Sequence, residues 1–305
     1  MKITIIGSGV YGSATAKMLN NSGNDVTVWT EKENIDEIII GEGIKVTNKY
    51  EDALKDAKLV YVLTAAKYAP SIFEAIKNLV RDDMTIILGS KGILENGGLM
   101  EDVLLSVIPK AHYAVVSGPT FAHDIGELEP LGFTVATHEK DRFDVIKSAY
   151  KGIKIEYSQD TTGTELCGVL KNAYAIGSGM LNGFNYGPSI RSLYITSVLN
   201  EMKKILKSMD ANIETAYTLA GIGDLILTCT SNNSRNFTFG TILASNDREK
   251  TMKYLEETTV EGYENMKVLS KLFEEKSIDA PILNMLYEIV RNGRNSKDII
   301  PFLVD

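Results

Sequence analysis

Only two cysteines occur in the 305 residues, Cys167 and Cys229, and they form no CxxC pair. That scarcity excludes a disulfide framework and a cysteine-bound zinc, and it points to a reducing cytoplasm. The three histidines, His112, His123 and His138, show no metal-ligand spacing. Each reads as a surface or loop residue, so no metal is expected. No apolar run approaches the roughly 20 residues that cross a bilayer, so no membrane span is expected. The opening MKITIIGSGVYG has no basic region ahead of an apolar run and does not read as a secretory signal. Positive charge is in deficit, with 32 Lys and Arg against 40 Asp and Glu and a net charge of −8. That balance argues against nucleic acid as a partner. It leaves room for a local basic pocket that takes a phosphorylated metabolite. Internal repeats and low-complexity segments are absent.

What is present is ordinary globular composition, 44% hydrophobic and 24% charged. The length suits about two domains and a core that needs no staple. In the first half, short β-rich runs alternate with helical patterns. The runs are Lys2–Ile6, Asp25–Trp29, Leu59–Thr64, Thr85–Gly89, Tyr113–Ser117 and Gly132–Thr137. The helical patterns include Ser13–Asn21, Ser71–Leu79 and Leu99–Val107. Such alternation predicts a parallel sheet with helices on both faces. Near Ser158 the texture changes, and from Thr162 onward nearly everything reads as helix. Leu193, Val198, Leu199, Met202, Ile205, Leu206 and Met209 recur at helical spacing, and Ile282–Val290 ends before Asn292-Gly293. The expected fold is α/β: an N-terminal doubly wound Rossmann domain over 1–158, then an all-α substrate domain over 159–305.

Gly7-Ser8-Gly9-Val10-Tyr11-Gly12 fits GxGxxG. The pattern alone is weak, but it follows the β-branched run Ile3–Ile6 and opens a helical pattern that stops at Gly23. Gly7 permits a tight turn, Gly9 lets a pyrophosphate approach the backbone, and Gly12 lets helix pack on strand. The helix N-terminus attracts the anion. Glu31 lies just past the second strand, where an acid meets the adenosine ribose hydroxyls. Lys91 and Gly118 each follow a further predicted strand. In an open parallel sheet they share one ligand-binding edge with the glycine loop and Glu31. Gly118-Pro119 reads as a turn with exposed backbone amides.

The second half carries a different set of polar residues. Thr162-Gly163-Thr164-Glu165 reads as a capping box that starts a helix. Leu166, Val169, Leu170 and Ala173 give that helix an apolar stripe, and Ala175, Gly177, Ser178 and Gly179 permit close packing. Lys171 would lie inside it, where burial and neighbouring cations disfavour its charge and suit it to acid–base work. A surface lysine with a snorkelling stem is the alternative. Cys167, one turn earlier, reads as packing. Asp224, in a glycine-framed turn, suits a substrate hydroxyl or the orientation of Lys171. Arg235, beside the polar run Ser231–Ser234, has the planar fork for a phosphate, with Ser234 and Asn236 able to donate to remaining oxygens.

Further short motifs run in order along the chain. They are Ser90-Lys91-Gly92, Ser117-Gly118-Pro119-Thr120-Phe121-Ala122 and Glu165-Leu166-Cys167-Gly168-Val169-Leu170-Lys171-Asn172. Then come Ala220-Gly221-Ile222-Gly223-Asp224-Leu225, Thr228-Cys229-Thr230, Ser234-Arg235-Asn236 and Val260-Glu261-Gly262-Tyr263. Together they resemble the bacterial NAD(P)-dependent glycerol-3-phosphate dehydrogenase family. The resemblance implies interconversion of dihydroxyacetone phosphate and sn-glycerol 3-phosphate, with an active site between the two domains. It also implies supply of the glycerol phosphate backbone of phospholipids. It assigns Lys171, Lys91 and Asp224 to catalysis. Lys91, Gly118, Thr120, Lys171, Asp224, Ser234, Arg235 and Asn236 match substrate positions. Val10, Tyr11, Lys91, Ala122, Arg235 and Glu261 match cofactor positions, beside Gly7, Gly9, Gly12 and Glu31. Glu31 favours NAD over NADP, because a carboxylate repels a 2′-phosphate. The oligomeric state stays open, with a homodimer as one option.

Two regions depart from the family pattern. The stretch between Glu31 and Lys45 is short and lacks the usual proline-containing loop. Leu63-Thr64-Ala65-Ala66-Lys67 stands where Pro-Ser is usual. Two rival readings are a β-hydroxyacid dehydrogenase and a cofactor-sensing regulator. The first would space its Lys and Asn as KxxxN, whereas Lys171 and Asn172 are adjacent. The second has no need of Lys91, Lys171 and Asp224 together.

Overall fold

A computed structural model describes residues 1–34, 40–126 and 130–304. The chain divides into two compact units, one of Met1–Gly92 with Gly98–Glu165, the other of Ile93–Gly97 with Leu166–Asp305.

The first unit is built on one eight-stranded sheet. Its strands are β1 (Lys2–Ile6), β2 (Asp25–Trp29), β3 (Lys45–Thr47), β4 (Leu59–Val62), β5 (Thr85–Leu88), β6 (Tyr113–Ser117), β7 (Gly132–Ala136) and β8 (Lys154–Ser158). They lie in the order β3-β2-β1-β4-β5-β6-β7-β8. The helices are α1 (Val10–Asn21), α2 (Tyr50–Leu54), α3 (Ala69–Ile76), α4 (Met100–Val107), α5 (Ala122–Gly126) and α6 (Lys140–Ser148). Successive side chains on a strand point to opposite faces, and both faces are covered. Ile3, Ile5, Leu59, Tyr61 and Ile87 pack with Ala16 and Leu19 of α1 and with Phe143 and Ile146 of α6. Ile6, Val60, Val62, Ile86 and Leu88 pack with Leu54, Phe73, Ile76 and Leu104 of α2 to α4.

One expectation needs correction. The sheet is parallel through β6, but β7 runs antiparallel to it, with Val116 opposite Val135. The connection from β6 to β7 carries the small helix α5 and includes residues 127–129, which lie outside the described residues, and only β7 with β8 resumes a parallel pair. The strands β3 and β8 and the helix α2 escape the sequence pattern; β3 and α2 are too brief to show a period. The first helix begins at Val10, directly on the glycine loop. The shortened stretch after Glu31 includes residues 35–39, which lie outside the described residues.

The second unit is helical: α7 (Thr161–Gly183), α8 (Pro188–Ser208), α9 (Asp224–Thr230), α10 (Arg235–Leu243), α11 (Arg248–Glu257), α12 (Glu261–Glu275), α13 (Pro281–Asn292) and α14 (Ile299–Val304). The division between units falls within α7. Residues 163–181 of α7 are all buried, so this helix is an axle rather than an amphipathic surface element. Glycine brings its neighbours close. A Cβ at Gly240 would collide with the Ile176 carbonyl, and one at Gly179 with the Phe237 carbonyl. On α8 the buried face is Tyr194, Val198, Glu201, Met202, Ile205 and Leu206. Leu193, expected on that face, is exposed. Gly293 ends α13 in the left-handed region at φ 75°. No helix among the described residues is long and apolar enough to cross a membrane.

The start of α7 also differs from expectation. The cap is Asp160, whose carboxylate accepts from the Gly163 amide at 3.0 Å. Thr162 instead donates to Glu101 at 2.6 Å, and Glu165 accepts from the Met100 and Glu101 amides at 2.7 and 3.1 Å. The predicted capping box therefore faces α4 rather than its own helix end. Thr162 found an acceptor, and Glu165 two donors, across the fold rather than along it.

Candidate active site

The first unit presents the carboxyl ends of β1, β2, β4, β5 and β6 along one edge, because these strands are mutually parallel. Gly7, Glu31, Thr64, Lys91 and Gly118 follow those ends. Gly7 has φ 122°, a conformation suited to glycine, and a Cβ there would meet the Leu63 carbonyl at 2.8 Å. A Cβ at Gly12 would collide with the Gly7 carbonyl, whereas one at Gly9 would stand in open space. No side chain caps α1 at Gly9, and Val10 beside it is 80% exposed. The first amides of α1 are thus left for an anion, and the backbone at Gly9 is bare enough for a pyrophosphate to touch it. These features fit a dinucleotide.

Around that loop the edge is pinned by short bonds. Ser8 and Thr30 hydroxyls meet at 2.8 Å, and Trp29 stacks on Tyr50 with centroids 4.2 Å apart. Glu31 is exposed next to them. Burial, with the Glu31 charge adding to it, pushes the Tyr50 phenol up to about 12. Ser90 donates to the Thr64 carbonyl at 2.6 Å, which ties the Ser90-Lys91-Gly92 turn to the end of β4. Lys91 is half-buried. Gly118 is buried, contrary to the exposed turn predicted for it, and a Cβ there would come within 2.7 Å of Phe133 Cα. Its glycine is required by the close passage of β7. Thr120 is buried, with its hydroxyl 3.1 Å from that of Tyr11. Ala122 opens α5.

In the second unit, Lys171 is buried on α7 and donates from Nζ to Asp224 Oδ1 at 2.5 Å and to Thr228 Oγ1 at 3.0 Å. Thr228 in turn donates to the Asp224 carbonyl at 2.6 Å, so its hydroxyl is turned to accept from the lysine. Asp224 follows a π-helical turn, Leu219–Gly223, in which the Thr218 side chain accepts from the Gly221 amide. Side chains at Gly221 would collide with the Thr215 and Ala216 carbonyls. This accounts for the glycine frame of the aspartate. The sequence predicts that burial disfavours the charge on Lys171. The structure adds a carboxylate at 2.5 Å, which favours it. Burial also pushes the neighbouring Cys229 thiol well up, which makes it inert packing.

A second polar chain crosses three helices. Asn236 donates to Asn172 Oδ1 at 3.1 Å, Asn172 donates to Glu261 at 2.9 Å, and the Gly262 amide donates to Asn236 Oδ1 at 2.8 Å. A Cβ on Gly262 would collide with the Asn172 carbonyl, so the Glu-Gly pair at the start of α12 is set by this crossing. Ser234 caps α10, accepting from the Phe237 amide at 3.2 Å. Arg235 is the exposed first residue of that helix. The polar run Ser231–Ser234 is a turn that leads into α10, with Asn236 buried in the first turn of that helix. Thr228 and Asn172 were quoted within motifs but given no role. Their polarity inside otherwise apolar helical stretches was the available signal. His112 pairs with Glu139 at 2.9 Å within the first unit. Among the described residues no cluster of three His, Cys, Asp or Glu could hold a metal ion.

Residues 160–301 match the model of the NAD-dependent glycerol-3-phosphate dehydrogenase C-terminus, and residues 2–40 and 30–143 match that of the N-terminus. A glycerol-3-phosphate dehydrogenase (NAD(P)+) of Erythrobacter litoralis is 32% identical over 99% of this chain and 96% of its own. One from Shewanella baltica is 31% identical over 97% and 93%. The chain belongs to the NAD-dependent glycerol-3-phosphate dehydrogenase family. The crystal structure of a glycerol-3-phosphate dehydrogenase from Coxiella burnetii superposes with a TM-score of 0.91 at 25% identity, covering 100% of this chain and 98% of the other. Family membership makes the chain an NAD(P)-dependent oxidoreductase with a Rossmann-like first domain and a helical second one. Both rivals raised by the sequence give way to it.

Proposed function

We propose that this chain interconverts dihydroxyacetone phosphate and sn-glycerol 3-phosphate, with Lys171 as the general acid–base. The observation that carries the reading is the buried Lys171–Asp224–Thr228 cluster, in a chain of this family. A lysine so deeply buried needs a carboxylate to keep its proton, and Asp224 supplies one. Bound nicotinamide dinucleotide supplies the hydride. Lys171 gives a proton to the oxygen at C2 as the ketone is reduced, and it takes that proton back in the oxidative direction. Asp224 and Thr228 aim the ammonium and hold its charge. Lys91 places a second cation for the same oxygen. Gly118 and Thr120 line the substrate side of the first unit's edge.

Arg235 binds the phosphate, supported by its exposure at the first turn of α10, where the helix amides add positive potential. Ser234 can still donate its hydroxyl proton to a phosphate oxygen, since among the described residues its hydroxyl only accepts. Asn236 contributes chiefly by bracing Asn172 and the Glu261 turn. The dinucleotide takes Gly7, Gly9, Val10, Tyr11, Gly12, Ala122, Arg235 and Glu261, with Glu31 at the ribose and NAD preferred. The pathway role is supply of glycerol phosphate for phospholipids. Cys167 and Cys229 are buried and form no disulfide, which suits a reducing cytoplasm.

The test is turnover of dihydroxyacetone phosphate with NADH by purified protein. Wild type should be active, and unphosphorylated dihydroxyacetone should be a poor substrate. Lys171→Ala should lose turnover by about two to four orders of magnitude, the scale of a general acid. Its NADH affinity should be retained, because the glycine loop lies in the first unit. Near-wild-type turnover by Lys171→Ala would remove it from the chemistry.

A further inference from the structure

Tyr11 sits in the first turn of α1, and only its backbone is needed for the glycine loop. Its phenol nevertheless reaches across to the turn after β6 and meets the hydroxyl of Thr120 at 3.1 Å. Thr120 has little else to orient it. Its amide bonds to the Gly118 carbonyl at 2.9 Å, but its hydroxyl is 3.4 Å from that oxygen, near the limit for a hydrogen bond. A narrow aromatic-walled cavity adjoins the pair, bounded also by Tyr61, Phe133 and Tyr150. The Tyr61 and Tyr150 hydroxyls bond to each other at 2.6 Å, and among the described residues neither bonds to Thr120. On that side packing alone leaves the Thr120 hydroxyl free to turn. The Tyr11 phenol is the group that stops it.

We propose that Tyr11 is a positioning residue for substrate: its hydroxyl fixes that of Thr120 and so ties the cofactor loop to the substrate-binding turn after β6. The proposal rests on the reading of Thr120 as a substrate contact. The tyrosine ring and its backbone serve the dinucleotide, whereas the hydroxyl serves the substrate. Tyr11→Phe separates these roles, because it removes one oxygen and keeps the ring.

The experiment measures steady-state kinetics and NADH affinity for wild type, Tyr11→Phe, Thr120→Val, Thr120→Ser and the Tyr11→Phe/Thr120→Val double variant. A single hydrogen bond corresponds to about a three- to tenfold change. Tyr11→Phe should raise KM for dihydroxyacetone phosphate by about that factor, with NADH dissociation measured by fluorescence changing less than about twofold. The effect should vanish when Thr120 is already valine, and Thr120→Ser should retain sensitivity to Tyr11→Phe. An unchanged KM in Tyr11→Phe, or effects that simply add in the double variant, would overturn the positioning role while leaving the reaction assignment intact. Absence of wild-type turnover would overturn the reaction assignment and the positioning role with it.

Discussion

At the scale of single residues, the polar groups inside this protein fall into those that address chemistry and those that hold helices. On the proposed reading Lys171 belongs to the first kind, whereas Glu165 and Glu201 belong to the second. Glu165 accepts the first two amides of α4, and Glu201 accepts those of Ile282 and Leu283 at the start of α13 at 2.6 and 3.0 Å. Each is a buried carboxylate that caps a helix from outside it. Burial, reinforced for Glu165 by the nearby Glu101, pushes Glu165 well above the ordinary carboxylate value of 4.5 and raises Glu201 as well, against the pull of the amide bonds. A carboxyl raised on folding contributes stability that is complete below 4.5 and lost as pH rises through its folded value. Thermal unfolding of Glu165→Gln should therefore gain on wild type as pH is raised from 4.5 toward 8 (about the upper limit of usual maximal stability). A difference that is flat with pH would mean that Glu165 is charged in both states. Glu31 makes a second residue-scale claim. Wild type should show higher kcat/KM for NADH than for NADPH, and Glu31→Arg should move the ratio toward NADPH. Equal use of both cofactors with no shift would take Glu31 out of the ribose site.

Among the elements, glycine does two separable jobs. In the loop that opens α1 it leaves backbone bare for a ligand, and around α7 it lets helices touch. Gly9 has nothing within 4 Å of its missing Cβ, whereas at Gly240 the Ile176 carbonyl occupies that space and the Met180 nitrogen is 3.0 Å away. Gly240→Ala should thus lose about 1–3 kcal/mol in denaturant unfolding, the cost of overpacking. Gly9→Ala should unfold like wild type yet bind NADH more weakly, which isothermal titration would read. If the two variants exchanged these behaviours, the assignment of loop to ligand and helix to packing would be wrong. The same logic explains α7. Its burial on all sides demands small residues at crossings and leaves each polar side chain with a partner, as Asn172, Tyr174 and Ser178 show.

For the whole molecule, the relevant consequence is linkage between ligand and stability. A dinucleotide that binds the folded first unit and not the unfolded chain should stabilise it by about 2.7 kcal/mol at one hundred times its Kd. The melting temperature should climb with the logarithm of NADH concentration, and climb less for NADPH at equal concentration. No shift with saturating NADH in a thermal-shift assay would contradict the dinucleotide site itself.

The strands β1, β2 and β6 were legible to the residue in the chain alone, because β-branched runs bounded by turn residues have few other uses. So were the glycine loop and the motif order that marks the family. Those signals are local or linear, and the physics behind them acts over a few residues. The reversal of β7 was not legible, since strand direction depends on where a connection returns and not on the strand's own composition. The turn of Glu165 toward α4 and the burial of Gly118 under Phe133 were likewise decided by tertiary contact. Glu165 had a local partner on paper and took one across the fold, which left the α7 cap to Asp160. The meeting of Lys171, Asp224 and Thr228 belongs to the same class, for it joins positions 53 and 57 residues apart. Periodicity placed Lys171 inside a helix, and only the packing of α9 against it supplied the carboxylate that lets a lysine keep its proton there.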